Sequence, residues 1–228
     1  MRSTLTLAEA EDLVEQYALD VTADERLPDR QVYFRDNYRA WEQAYLPVVC
    51  EYVEDRLPGR ALDCGPGWGT MSVWLAAHGW NVTAMDMMPL GTFMTERQCR
   101  ECGISYIRAQ IEDAPLPGAQ FDLALLTQVL GHLKWNPLRT LRNLRSMLAP
   151  GGEAIVSALN TPEERWPEFS YSHWRDVPTR DSGADPDPAM NVCAYTTQSL
   201  RELLGEVFSP AATHLLQEGG VTVALCRV

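Results

Sequence analysis

Apolar positions change their period twice along the chain. Between residues 5 and 56 they recur at helical spacing. Leu5, Leu7, Leu13, Val14 and Tyr17 form one weak stripe, and Trp41, Tyr45, Val48, Val49, Tyr52 and Val53 form a second. A polar break from Asp20 to Asp29, containing Pro28, separates the stripes, Pro47 predicts a kink, and Pro58-Gly59 ends the segment. From about 60 to 160, short apolar runs alternate with helical patterns, which predicts βα units around a parallel sheet. Strands are expected at 61–64, 82–85, 105–108, 121–126 and 154–158. Helices are expected at 70–78, 90–102 and 138–148, the last stopped by Pro150-Gly151-Gly152.

After Asn160 the pattern breaks. Residues 161–191 hold five prolines and two tryptophans and read as a long irregular excursion, of the kind that forms lids. A helix is expected from 196 to about 204. The ending, 212–217, Gly219-Gly220 and 221–228, reads as a β-hairpin that closes the sheet. The expected division is a helical cap at 1–58 and a main domain at 59–228, with 161–191 as an insertion or lid.

Composition narrows the classes. The chain has 228 residues, 46% hydrophobic and 22% charged, enough for one ordinary domain with a modest appendage and too apolar for a disordered chain. With 19 basic and 31 acidic side chains, the net charge of −12 would repel a phosphate backbone, so no nucleic-acid partner is expected. No run of eighteen apolar residues exists, so no membrane span is expected. Residues 1–12 lack the basic-then-apolar order of an export leader, which predicts a cytoplasmic chain. The scattered Cys50, Cys64, Cys99, Cys102, Cys193 and Cys226 then read as buried thiols, and Cys99/Cys102 has no second pair at a zinc spacing, so no metal is expected.

The stretch Asp63-Cys64-Gly65-Pro66-Gly67-Trp68-Gly69-Thr70 lies where an apolar strand turns into a helix. Alternate glycines let the backbone approach a ligand, with helix-start N–H groups facing it. A dinucleotide fingerprint needs G-x-G-x-x-G, and its third glycine would fall on Thr70. Asp63, just before the loop, disfavours a pyrophosphate and suits an ammonium group. Asp86 ends the second strand, where an acid can hydrogen-bond the two hydroxyls of a ribose.

These residues resemble the class I S-adenosylmethionine-dependent methyltransferases. The glycine loop resembles their first motif and Asp86 the ribose-binding acid of their second. Gln110 to Leu116, followed by Phe121-Asp122, resembles the segment leading into their fourth strand, and Arg145 to Gly152 the turn before their fifth. The resemblance implies an α/β, Rossmann-like, seven-stranded mixed sheet with helices on both faces and an antiparallel last strand. It implies S-adenosyl-L-methionine as cofactor, with Asp63, Gly65, Pro66, Gly67, Trp68 and Gly69 around the methionine part. Asp86 would take the ribose and Met87 the adenine face, while Gln110, Ile111 and Glu112 would read the adenine edge. Gln110 stands where the family usually has Asp, and its carbonyl can accept the same hydrogen bond. Thr127 and Gln128 follow the fourth strand, where cofactor and acceptor would meet.

Methyl transfer gains most from holding donor and acceptor in line, and a hydroxyl acceptor would gain further from a base. His132, one helical turn beyond Gln128, and His173, within the excursion, are the candidates. His78 and His214 read as structural. Tyr33 and Tyr38 near the second helix, and Trp166, Tyr171 and Trp174 in the excursion, are candidates for an aromatic acceptor pocket. The expected function is methylation of a small-molecule acceptor. A non-catalytic S-adenosylmethionine-binding accessory protein and an NAD-dependent oxidoreductase remain the alternatives.

Overall fold

The structure, a computed structural model, describes residues 4–18, 34, 38–113, 116, 118–185, 189–209, 214–218 and 220–228. Each apolar run expected as a strand between 60 and 160 is one: β1 (Arg60–Cys64), β2 (Asn81–Asp86), β3 (Ser105–Arg108), β4 (Phe121–Thr127) and β5 (Leu148–Leu159). The terminal hairpin supplies β6 (His214–Glu218) and β7 (Val221–Arg227). The seven strands form one sheet in the order β3-β2-β1-β4-β5-β7-β6, in which β7 runs antiparallel to both of its neighbours.

Strand alternation divides the interior in two, because successive side chains leave a strand on opposite faces. Ala61, Leu123 and Leu125 face one core, which they share with α1 (Leu7–Ala18), α3 (Leu46–Glu54), α4 (Thr70–Ala77) and α5 (Glu96–Cys102). Leu62, Cys64, Ala124 and Leu126 face the other, filled by α6 (Leu138–Ser146) and α7 (Thr197–Gly205). Continuous apolar strands such as Leu123–Leu126 need helices on both sides.

Three boundaries differ from expectation for local reasons. The helix expected from 90 begins at Glu96, because Thr95 is its N-cap. The Thr95 hydroxyl accepts from Gln98 N at 3.0 Å, and Gln98 Oε1 accepts from Thr95 N at 3.3 Å. Pro47 does not kink a helix. A turn at residues 43–45 separates a short α2 (Arg39–Glu42) from α3, whose first turn holds Pro47, where a missing N–H breaks no bond. The Pro150-Gly151-Gly152 stop lies inside β5, at a shift in its register against β4.

The described residues of 161–191 include three short helical turns, Glu163–Glu168, Trp174–Asp176 and Arg180–Ser182. An isolated bridge from Tyr171 to Cys193 ties the excursion to the segment before α7, and one from Asn160 to Tyr195 ties that segment to the residue after β5. Cys50, Cys64, Cys99, Cys193 and Cys226 are buried. His78 caps its helix, with Nδ1 donating to Trp74 O at 2.8 Å. Among the described residues no helix is long and apolar enough to cross a membrane.

A buried charge pair joins the N-terminal helices. Glu11 on α1 is fully buried, and its Oε2 accepts from Arg39 Nε at 2.9 Å and from Gln43 Nε2 at 3.2 Å. Removing one partner strands the other charge, whereas replacing both with apolar groups is far milder. Arg39→Met is therefore expected to destabilise the fold by about 3–5 kcal/mol. Urea melts of the Glu11→Leu/Arg39→Met double variant should recover most of that loss.

Candidate active site

The strand order reverses between β1 and β4, and an open α/β sheet leaves a crevice at such a switch, beyond the carboxyl ends of the strands. The glycine loop leaves β1 there, and Gln128 leaves β4. Gly65 and Gly67 have φ of +68° and +56°, a region costly for any residue with a Cβ. The loop is also closely packed. A Cβ on Gly65 would lie 2.5 Å from Val129 Cγ2, and one on Gly67 2.2 Å from Tyr38 Oη. Glycine here thus serves both conformation and close approach.

Two carboxyl groups are buried beside the loop. Asp63 accepts from Ser72 Oγ at 2.7 Å, and burial pushes its pKa up to about 6. Glu42, on α2, accepts from Thr70 Oγ1 at 2.7 Å, and burial pushes it up to about 8, with Glu11 and Asp63 adding repulsion. Both line a narrow cavity with Tyr38, Tyr45, Gly65, Pro66 and Thr127. Glu42 escaped the sequence reading. The available signal was its place on the apolar face between Tyr38 and Tyr45, where an acid needs a reason.

The other expected cofactor residues are placed as follows. Asp86 ends β2, its Oδ1 accepting from Met88 N at 2.9 Å, and partial burial raises its pKa. Met87 beside it is 55% exposed, a large apolar side chain facing solvent. Gln110 is exposed at the turn after β3, and Ile111 and Glu112 are buried. Asn143 of α6, also missed from sequence, fixes that turn by donating to Ile111 O at 2.7 Å and Glu112 O at 3.1 Å. Trp68 requires a correction. Its ring is 1% exposed and packs against Phe34, Tyr38 and Phe93. It anchors the loop in the core and does not line the narrow cavity.

A second hollow has a volume of about 90 Å³. Trp41, Gln128, His132, Arg165, Phe169 and Tyr195 contribute to its wall. Trp41 and Gln128 are the sequence neighbours of Glu42 and Thr127, which line the narrow cavity, so α2 and the end of β4 each contribute to both hollows. Gln128 holds a φ of +59°, a strained value for a side-chain-bearing residue. Its backbone N donates to Ser157 O at 3.1 Å and its side chain to Ser157 Oγ at 3.0 Å, which hold that conformation. Tyr195 Oη is buried without an oxygen or nitrogen partner, the Cys193 thiol beside it.

His132 lines the larger hollow and is exposed. Its Nδ1 lies 2.8 Å from Met190 O. A carbonyl can only accept, so Nδ1 carries the proton and Nε2 of the neutral ring keeps its lone pair. His173 does not reach either hollow. Its Nδ1 accepts from Arg175 N at 3.1 Å, and its Nε2 faces Glu202 at 3.8 Å, so it serves as a cap. The aromatic wall also differs from expectation. Trp174 is buried in the second core, and Trp166 spends its ring N–H on Thr161 O at 3.2 Å. Tyr171 packs against the same core, and Tyr33 lies outside the described residues. Tyr38 lines the narrow cavity, while Trp41, Phe169 and Tyr195 wall the larger one.

Comparison with known proteins agrees with this geometry. The profile of a family described as "Methyltransferase domain" matches residues 33–207. The chain belongs to that methyltransferase family. A ubiquinone biosynthesis O-methyltransferase of Xanthomonas euvesicatoria pv. vesicatoria is 36% identical over 124 residues, 51% of each chain. One of the same name from Rickettsia felis is 25% identical over 183 residues, 72% of this chain and 74% of the relative. The chain thus spans about half the length of the first of these curated relatives. Among solved structures, the PH0226 protein of Pyrococcus horikoshii has a TM-score of 0.63 at 17% identity, covering 90% of this chain and 98% of its own. The DhpI–SAH complex has a TM-score of 0.59 at 16% identity, covering 97% and 96%. At those identities the structures establish the fold, that of the class I S-adenosylmethionine-dependent methyltransferases.

The buried acids of this methyltransferase family member make its stability fall with pH. Unfolded Asp and Glu lose their protons near 3.8 and 4.5, whereas folded Asp63 and Glu42 keep theirs to about 6 and 8. Across that window the native state binds more protons, so rising pH favours unfolding. Thermal melts from pH 5 to 8.5 should show Tm falling, and Glu42→Gln should flatten the upper part of the fall.

Proposed function

We propose that this protein is an S-adenosylmethionine-dependent methyltransferase acting on the hydroxyl group of a small acceptor, with His132 as the base. The observation that carries this reading is the His132–Met190 hydrogen bond, which leaves Nε2 as a proton acceptor on a residue that lines the larger hollow together with Gln128. The cofactor fits the residues present. Gly65, Asp63 and Glu42 line one narrow cavity at the carboxyl end of β1, and the two buried acids suit an ammonium group.

When bound, S-adenosyl-L-methionine supplies an electrophilic methyl group on a sulfonium. In this reading Asp63 and the backbone of Gly65, Pro66, Gly67 and Gly69 hold its amino-acid end. Asp86 takes the ribose hydroxyls, and the exposed Met87 covers the adenine face. The side-chain carbonyl of Gln110 and the backbone of Ile111 and Glu112 read the adenine edge. Thr127 and Gln128 stand between the cofactor and acceptor spaces. His132 Nε2 takes the proton of the acceptor hydroxyl, and Trp41 and Phe169 exclude water from opposite walls.

On this reading, residues 1–58 act as a cap and 161–191 as a lid, and each supplies part of the acceptor wall. The relatives named O-methyltransferases support oxygen as the acceptor atom. The acidic chain favours a small molecule over nucleic acid, and we place its work in the cytoplasm.

Calorimetric titration with S-adenosylmethionine, S-adenosylhomocysteine and NADH tests the cofactor. Binding of both adenosyl ligands is expected, with Asp86→Ala weakening it by about 1.5–3 kcal/mol. A turnover panel of small phenols, alcohols and amines tests the acceptor. His132→Gln should lower kcat on a hydroxyl acceptor by about 10²- to 10⁴-fold while leaving S-adenosylhomocysteine affinity unchanged. Tight binding without transfer would leave an accessory protein, and binding of NADH alone would return the oxidoreductase reading.

A further inference from the structure

Glu42 is an acid without an evident structural need. It sits 3% exposed on a four-residue helix, on a face otherwise given to Tyr38, Trp41 and Tyr45. Burying a carboxyl group is unfavourable unless partners compensate, and Thr70 supplies one hydrogen bond, at 2.7 Å. Arg39, a cation near it, is already engaged with Glu11 at 2.9 Å, Asp12 at 2.8 Å and Glu15 at 3.4 Å. Glu42 instead faces the narrow cavity that also holds Asp63, Gly65 and Thr127.

We infer that Glu42, contributed by the N-terminal segment, receives the ammonium group of the cofactor's amino-acid tail, with Asp63 completing the pair. The inference rests on the cofactor reading above. An ammonium brings three N–H donors and one positive charge, which suits two carboxyl groups sharing a confined space. A metal ion would want further ligands, and among the described residues no cluster of three His, Cys, Asp or Glu side chains could hold one. A ligand presenting only a carboxylate would be repelled by both acids.

Binding of such a cation changes the proton inventory. Asp63 on β1, Glu11 on α1, Arg39 on α2 and Tyr45 in the following turn are the titratable groups around Glu42, and of these Arg39 alone is cationic. Burial, with Glu11 and Asp63 adding repulsion, raises the energy of an ionised Glu42, so the empty cavity favours a bound proton. An incoming ammonium replaces that proton. The cofactor tail is then recognised by an exchange of one positive charge for another, with no net charge added to the cavity.

The experiment is calorimetric titration of wild type, Glu42→Gln and Glu42→Asp with three ligands. These are S-adenosylhomocysteine, its decarboxylated form, which keeps the amine, and methylthioadenosine, which has no amino-acid tail. Glu42→Gln should weaken the first two by about 10- to 100-fold and leave the third within about twofold. Glu42→Asp should restore part of the affinity. Titrations near pH 7 in buffers of different ionisation heat should show wild type releasing a proton on binding S-adenosylhomocysteine, and Glu42→Gln releasing less.

Gln matches the shape of the neutral acid, and thermal melts confirm that each variant is folded. Equal losses on all three ligands would make Glu42 a structural residue and overturn the inference. So would undiminished affinity of Glu42→Gln for S-adenosylhomocysteine. Failure of wild type to bind that ligand at all would overturn the cofactor reading and this inference together.

Discussion

Three carboxyl groups, Glu11, Glu42 and Asp63, are withdrawn from water where the N-terminal helices meet the first strand, and the surrounding architecture follows from satisfying them. Each takes a different solution. Glu11 shares Arg39 and Gln43, Glu42 takes the Thr70 hydroxyl, and Asp63 takes the Ser72 hydroxyl. Thr70 and Ser72 both belong to the first turn of α4, so the helix that follows the glycine loop also supplies the donors that fix the acids beside it. Burial disfavours ionisation of Asp63 and Glu42, so both gain from a cation placed beside them in the narrow cavity.

The sheet determines where this chemistry happens. Reversal of strand order at β1 and β4 opens the crevice, and the tight turns at Gly65 and Gly67 let the β1 loop approach both Val129 and Tyr38. The N-terminal helices are part of that construction. Ala10, Val14, Val49 and Val53 share one core with Ala61, Val82 and Leu125, so α1 and α3 have sheet residues as their packing partners. Trp41 and Glu42 are consecutive in α2, yet one lines the larger hollow and the other the narrow cavity. A single turn of helix therefore contributes to both spaces.

The sequence made the sheet legible because its strands are short, apolar and bounded by turns, and the glycine loop because few other functions need alternate glycines after a strand. Asp63 and Asp86 were legible for the same reason, since strand ends are fixed by the pattern. What escaped depended on contacts between distant segments. Glu42 meets Thr70 across 28 residues, and Asn143 reaches the turn at Ile111 across 32. Trp174 and Trp166 read as pocket aromatics by composition, but one fills the second core and the other closes a local hydrogen bond. An irregular excursion has no period from which to infer which face is inward. His173 failed likewise, because its neighbours Arg175 and Glu202 occupy its nitrogens at the surface.

The wall of the larger hollow also carries backbone strain. Gln128 adopts a left-handed backbone that costs a side-chain-bearing residue about 1–3 kcal/mol. Ser157, on the neighbouring strand β5, holds it there through backbone and side-chain hydrogen bonds. A glycine would adopt that backbone without strain but would lose the side-chain hydrogen bond to Ser157 and the Gln128 part of the larger hollow's wall. The bend also redirects the chain from the end of β4 into the turn Leu130–His132, which places His132 at the wall of the larger hollow. Met190, from the far end of the excursion, then accepts the His132 Nδ1 proton. The strained residue and the excursion thus act on one ring: the first sets where the imidazole stands, and the second sets which nitrogen is left to accept a proton.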